Sequence, residues 1–215
     1  MSQRNATFAA ITGPGVVGIL RADRSDYYPQ VAAALVAGGI RAIEVTLTTP
    51  GALAAIQRIA EQVPQAVVGA GTVLTAQDAR AVLEAGARFI VSPIFTPEVV
   101  QIARENDVIV IPGTMTPTEA YTAWQAGADL VKVFPSGLFG PQYLRNLRAV
   151  FPGIPLIPTS GPGPDDADAY IAAGALAIGI GDKLIDREML VTGNVGDLTA
   201  RARALVARIA QARQG

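Results

Sequence analysis

The sequence predicts an α/β fold of parallel strands, and more narrowly a single (β/α)8 TIM barrel. Three observations carry that expectation. Joints of one type recur at Ala37-Gly38-Gly39, Ala85-Gly86-Ala87, Ala126-Gly127-Ala128 and Ala173-Gly174-Ala175. Each closes a helix-like pattern and opens a short apolar run, because glycine takes the left-handed position that ends a helix and β-branched residues then favour a strand. The runs are apolar throughout, as expected of strands covered on their faces by helices. Finally, eight such runs follow one another with no linker between them.

The strand runs are residues 16–20, 41–45, 66–70, 88–92, 108–112, 129–133, 154–158 and 176–180. Helical patterns fill the gaps near 26–37, 51–62, 76–85, 97–105, 117–126, 141–150 and 165–173, with a last helix at 196–213. Pro50, Pro97 and Pro117 stand near first-turn positions, and Asp165 and Asp166 open the seventh helix. Residues 1–15 read as an N-terminal extension to one barrel domain spanning 1–215. An open doubly wound sheet is the alternative, but its glycine-rich loop follows the first strand, whereas Thr12-Gly13-Pro14-Gly15-Val16 precedes it here.

Composition then removes whole classes of chemistry. The 215 residues include no cysteine and no histidine. Disulfides, thiolate nucleophiles, Ser-His-Asp triads and Cys- or His-based metal sites are therefore excluded. No Asp/Glu cluster has metal-binding spacing, so neither a metal nor a cofactor is expected. Acid–base work falls to Glu, Asp, Lys or Tyr. A net charge of −1 gives no reason to expect nucleic acid or an anionic membrane as partner. The N-terminus lacks a secretory apolar core, and the most apolar stretch, 169–181, is too short and glycine-rich to span a bilayer. A soluble, cytoplasmic protein is the expectation.

In a barrel the loops after the strands carry the chemistry. Arg21, Glu44, Thr72, Ser92, Thr114, Lys132, Thr159, Ser160 and Asp182 all fall inside or just after strand runs, at one end. Glu44 and Lys132 interrupt otherwise apolar strands, the second and the sixth. Alternation turns Ile43, Val45, Val131 and Val133 toward the helices and both charges the other way. Even-numbered strands share an interior layer, so a carboxylate and an amine are expected side by side. An ion pair kept for packing is a poor explanation, since burying two ions costs several kcal/mol. Desolvation should instead lower the pKa of Lys132 and free an amine able to attack a carbonyl. Only one other lysine exists, Lys183, which reads as solvated at the start of a helix-like stretch. The loops Thr159-Ser160-Gly161-Pro162-Gly163 and Gly179-Ile180-Gly181-Asp182 stand where barrels bind phosphate on backbone N–H groups; ordinary turn chemistry, with Asp182 as an N-cap, is the competing reading.

The same residues carry a resemblance. Ile-Leu-Arg at 19–21, Ile-Glu-Val-Thr-Leu at 43–47, Val-Gly-Ala-Gly-Thr-Val-Leu at 68–74 and Ile-Val-Ser-Pro at 90–93 are followed by two longer motifs. These are Ile-Pro-Gly-Thr-Met-Thr-Pro-Thr-Glu at 111–119 and Val-Lys-Val-Phe-Pro-Ser at 131–136. Together, over about Gly18 to Arg208, the chain resembles the bacterial class I 2-keto-3-deoxy-6-phosphogluconate and 6-phosphogalactonate aldolases, a group that includes 4-hydroxy-2-oxoglutarate aldolase activity. Residues 138–152 look more like the galactonate branch. The resemblance implies a Schiff-base lysine at Lys132, an acid–base glutamate at Glu44, a carboxylate-binding arginine at Arg21, pocket residues Thr72, Pro93 and Phe134, and a homotrimer. It adds Thr159, Ser160, Gly161, Gly181 and Asp182 at the end that would meet a phosphate.

Three positions depart from the pattern: Thr48 replaces the gluconate-type arginine, Ser160-Gly161 stands for Gly-Gly, and Asp182 stands for a serine. A carboxylate at 182 makes unphosphorylated sugar acids candidates beside phosphorylated ones. The implied activity is metal-independent, reversible cleavage of a 2-keto-3-deoxy sugar acid to pyruvate and an aldehyde such as glyceraldehyde 3-phosphate. Two other readings of the same residues are a sugar-phosphate isomerase or epimerase and a non-catalytic module that binds small acids.

Overall fold

A computed structural model describes residues 2–214. It has an α/β fold in which parallel strands alternate with helices. A helix, α1 (Gln3–Thr12), precedes β1 (Val16–Leu20), α2 (Tyr28–Ala37), β2 (Ala42–Thr46), α3 (Ala52–Gln62), β3 (Val67–Gly71) and α4 (Ala76–Glu84). Then come β4 (Phe89–Val91), α5 (Pro97–Glu105), β5 (Ile109–Ile111), β6 (Gly113–Thr114), α6 (Pro117–Gln125) and β7 (Val131–Val133). A 3-10 turn (Ser136–Leu138) leads to α7 (Gly140–Val150), β8 (Leu156–Pro158), α8 (Ala167–Ala172), β9 (Ile178–Ile180), α9 (Arg187–Thr192) and α10 (Leu198–Ala212).

The eight expected strand runs appear as nine strands in two sheets, ordered β5-β4-β3-β2-β1-β9 and β6-β7-β8. The run 108–112 gives only β5; pairing breaks at Pro112, which has no N–H to give to a ladder, and the extra strand β6 lies just beyond the expected run, in the other sheet. A lone parallel bridge, Thr159 to Gly179, links β8 and β9.

The joint glycines do what the sequence requires of them. Gly39, Gly86, Gly127 and Gly174 have φ of 97°, 94°, 95° and 94°, a backbone conformation costly for any residue with a Cβ. Pro97 and Pro117 begin α5 and α6, as expected. The Thr116 hydroxyl accepts from the Glu119 N–H while the Glu119 carboxylate accepts from the Thr116 N–H, a capping box that assigns the end of the 111–119 motif a structural task. Pro50 lies before the Gly51 cap of α3 and so outside the helix. Asp165 lies outside α8, and the side chain of its cap residue Asp166 turns back to accept the Gly163 N–H at 2.6 Å.

Strand alternation sorts the core into two clusters. Ile43, Val45, Val68, Ala70, Ile90, Val110, Val131, Val133, Leu156 and Ile178 pack against the helices. Val17, Ala42, Val67, Phe89, Ile109, Leu130, Ile157 and Ala177 form the other cluster, together with Ala10 and Ile11 of α1. The segment expected to be a bare extension is therefore a helix whose apolar end covers the starts of the strands. Ser2 caps it by accepting the Asn5 N–H, and Arg4 crosses to Asp129 and Asp107. At the far end of the chain, Arg213 donates to the carbonyls of Gly13, Thr12 and Leu176, tying α10 to the turn after α1. Among the described residues, no helix is long and apolar enough to cross a membrane.

Candidate active site

Glu44 sits in the middle of β2 and Lys132 in the middle of β7, with only 3% and 5% of their surfaces exposed. The neighbours of both, Ile43 and Val45 on one strand and Val131 and Val133 on the other, face the helices. The charges therefore point to the opposite face, as alternation requires. Backbone hydrogen bonds hold Lys132 in place: its N–H donates to Pro112 O at 2.9 Å and its carbonyl accepts from the Thr114 hydroxyl at 3.1 Å. Lys132 Nζ lies 5.1 Å from the centre of the Phe134 ring, two residues along on the same face.

Burial dominates the protonation of both groups. Desolvation lowers the pKa of Lys132, opposed by the charge of Glu44 and reinforced by that of Arg21. Desolvation raises the pKa of Glu44, opposed by the charges of Lys132 and Arg21. Burial thus works toward the neutral form of each group, while the charge of each works toward the ionised form of the other.

Lys132 opens into a cavity of about 440 Å³, a size typical of sites for small metabolites. Its wall brings together Arg21, Lys132, Phe134, Thr159, Ser160, Gly161, Gly181 and Asp182, contributed by segments that follow four different strands. Glu44, Thr72 and Pro93 do not belong to that wall. Glu44 is buried, with its carboxylate packed over Gly71. Thr72 adopts a left-handed φ of 60° directly after β3, and the Pro93 carbonyl abuts Gly113 so closely that residue 113 has no room for a side chain.

The loops at the far end of the cavity are laced together. The Ser136 N–H and hydroxyl both donate to Thr159 O, at 2.9 and 3.1 Å, and the Gly137 N–H donates to Ser160 O at 3.0 Å. Ser160 is left-handed, φ 59°, at the position where the aldolase pattern carries glycine. No helix starts at Asp182, which lies in a turn, and α9 begins only at Arg187 after its cap Asp186. The competing reading of Asp182 as an N-cap is therefore not borne out.

Two charged residues to which the sequence gave no site role, Lys183 and Arg187, also line the wall. Lys183 is exposed, as expected, yet its ammonium donates to Gly161 O across the cavity. Its rarity was the available signal. Arg187 gave none, because α9 was not anticipated; it donates to Asp23 at 2.9 Å.

Residues 9–201 match the family model described as "Aldolase: KDPG and KHG aldolase". The chain belongs to that aldolase family. It is 38% identical over 197 residues to the KHG/KDPG aldolase of Escherichia coli (strain K12), covering 91% of this chain and 92% of the relative. A solved structure described as native KDPGal superposes with a TM-score of 0.86 at 33% identity, over 93% of this chain and 96% of the other. A KDPG aldolase from Legionella pneumophila, solved with pyruvate captured at low pH as a covalent carbinolamine intermediate, superposes with a TM-score of 0.83 at 29% identity, over 95% and 98% of the two chains.

Proposed function

We propose that this aldolase cleaves a 2-keto-3-deoxy sugar acid through a Schiff base on Lys132, giving pyruvate and an aldehyde. The observation that carries the reading is the buried Lys132 amine, opening into a cavity with its pKa pushed down by desolvation and with Glu44 close enough to oppose that shift. The covalent pyruvate adduct of the Legionella relative supports it.

In this mechanism the Lys132 amine adds to the C2 ketone, forming a C–N bond and a carbinolamine. Glu44 carries protons so that the C2 hydroxyl leaves as water and the iminium forms. Removal of the C4 hydroxyl proton, by Glu44 or through a water, turns the O–H pair into the aldehyde C=O. The C3–C4 pair then flows into the iminium to make an enamine. After the aldehyde departs, C3 takes up a proton and water releases pyruvate, returning the free amine. Arg21 holds the C1 carboxylate by charge-assisted hydrogen bonds, and Phe134 walls the site. No step calls for a metal or an organic cofactor. Thr72 and Pro93, outside the cavity wall, contribute by shaping the backbone beside Glu44 and β6.

The proposal includes a single domain whose two sheets close into one (β/α)8 barrel. The Thr159–Gly179 bridge supports closure on one side, and the passage of the chain through Pro112 supports it on the other. It also includes a homotrimer, for which the exposed Ile94, Leu138 and Phe139 supply apolar surface, and a cytoplasmic location. The test is mass spectrometry after incubation with pyruvate and borohydride in EDTA. A reduced adduct on Lys132, with pyruvate release from 2-keto-3-deoxy acids, is expected. Solvent-proton exchange into a sugar phosphate without an adduct would identify an isomerase instead.

A further inference from the structure

The cavity that holds Lys132 also presents a carboxylate, Asp182, in its wall. Two cations stand near it in the wall, and they are not equivalent. Arg187 donates to Asp23 at 2.9 Å, so its charge is already answered. Lys183 donates to a neutral acceptor, the carbonyl of Gly161, which leaves its charge uncancelled by that contact and two of its three N–H groups free.

Lys183 is also seated. Its stem runs over Gly163, where a built Cβ would come within 3.0 Å of Cδ, so a side chain at 163 would push the lysine away. Asp166, whose carboxylate also lies beside Gly163, is engaged by the Gly163 N–H at 2.6 Å. The ammonium is thus held against the loop 159–163, in the wall that also holds Lys132, by a glycine bed and one carbonyl.

We infer that Lys183 is a specificity-determining residue: its ammonium offsets Asp182 and receives a terminal phosphate of the 2-keto-3-deoxy acid. This rests on the aldolase reading above. A phosphate monoester carries close to two charges at neutral pH, so without Lys183 it would meet the Asp182 carboxylate uncompensated. A hydroxyl terminus gains much less from the ammonium. Lys183 therefore sets the preference between the two substrate forms rather than the rate of the chemical step.

The experiment compares kcat/KM for a 2-keto-3-deoxy-6-phospho acid with that for the same acid bearing a free 6-hydroxyl, in wild type, Lys183→Met, Lys183→Gln and Lys183→Arg. The phosphorylated-to-free ratio should fall at least about tenfold in the Met and Gln variants, the effect of losing one charge-assisted hydrogen bond. In Lys183→Arg, which keeps the charge, it should stay within a few-fold of wild type, and the loss should fall mainly on KM. An unchanged ratio in Lys183→Met overturns the inference, including the case where both substrates slow equally, which identifies a loop fastener. Wild-type labelling by pyruvate and borohydride, read first, decides the Schiff-base reading separately.

Discussion

The Glu44 carboxylate lies where a Cβ on Gly71 would be: Oε1, Cδ and Cγ of Glu44 all fall inside contact distance of that absent methyl. Glu44 pairs in register with Gly69 on β3, and Thr46 with Gly71, so the two strands leave a slot for one side chain. Gly71→Ala should push the carboxyl group out of that slot. A displacement of about 1 Å at a catalytic group costs on the order of 10²-fold in rate. Turnover should fall by about that factor in steady-state assays, with a smaller loss in the yield of borohydride-trapped pyruvate.

Protonation supplies a second test. Burial lowers the pKa of Lys132, so the nucleophilic amine persists below the pH at which an ordinary lysine would hold it as ammonium. Trapping by pyruvate should therefore increase as pH rises through that lowered value. The charge of Glu44 raises the pKa of Lys132, so Glu44→Gln should move the trapping midpoint to lower pH, even as turnover drops. A midpoint moving upward would contradict the arrangement.

The same burial has a cost in stability. Between the lowered folded pKa of Lys132 and the ordinary lysine value, the unfolded chain binds more protons, so stability rises with pH across that window. Glu44, raised by burial, acts in reverse: from the ordinary carboxylate value up to its folded pKa the native state binds more protons, and stability falls as pH rises. Lys132→Met removes the first contribution. It also strips Glu44 of the charge that opposes its shift, so in urea titrations the variant should lose stability relative to Lys132→Met/Glu44→Gln as pH rises above the ordinary carboxylate value, while losing all pyruvate adduct.

Gly86 and Ser160 make a complementary pair. A Cβ at Gly86 would touch nothing within 4 Å, so only its φ of 94° opposes a side chain. Gly86→Ala should cost about 1–2 kcal/mol in chemical denaturation, from backbone strain alone. Ser160 already bears such strain at φ 59°. Ser160→Gly relieves it, against about 0.5–1 kcal/mol of added chain entropy, and should leave stability unchanged or slightly raised.

The strands and most helices were legible because their signals are local: a left-handed glycine, a β-branched run, a proline at a first turn. Glu44 and Lys132 were legible because each breaks an apolar strand on the same side of the pleat. What escaped depended on distance along the chain. Of the consecutive apolar residues Phe8 to Ile11 in α1, only Ala10 and Ile11 are buried, and that burial depends on strands that come later in the chain. The short strand β6, just beyond Pro112, forms by pairing with β7, which is a tertiary fact. Lys183 looked solvated because nothing near it in sequence reveals that Gly161, 22 positions earlier, lies within its reach.

Ala10 and Ile11 of α1 pack into the inner core cluster, while Lys132 lines the cavity formed with the loops after β1, β8 and β9. On the chemistry proposed here, the three-carbon fragment remains tethered to Lys132 while its partner is held by no bond. Departure is then sequential, aldehyde before pyruvate. Run backwards, the synthesis would have to admit pyruvate first, and an aldehyde that arrived early would find no enamine to meet it.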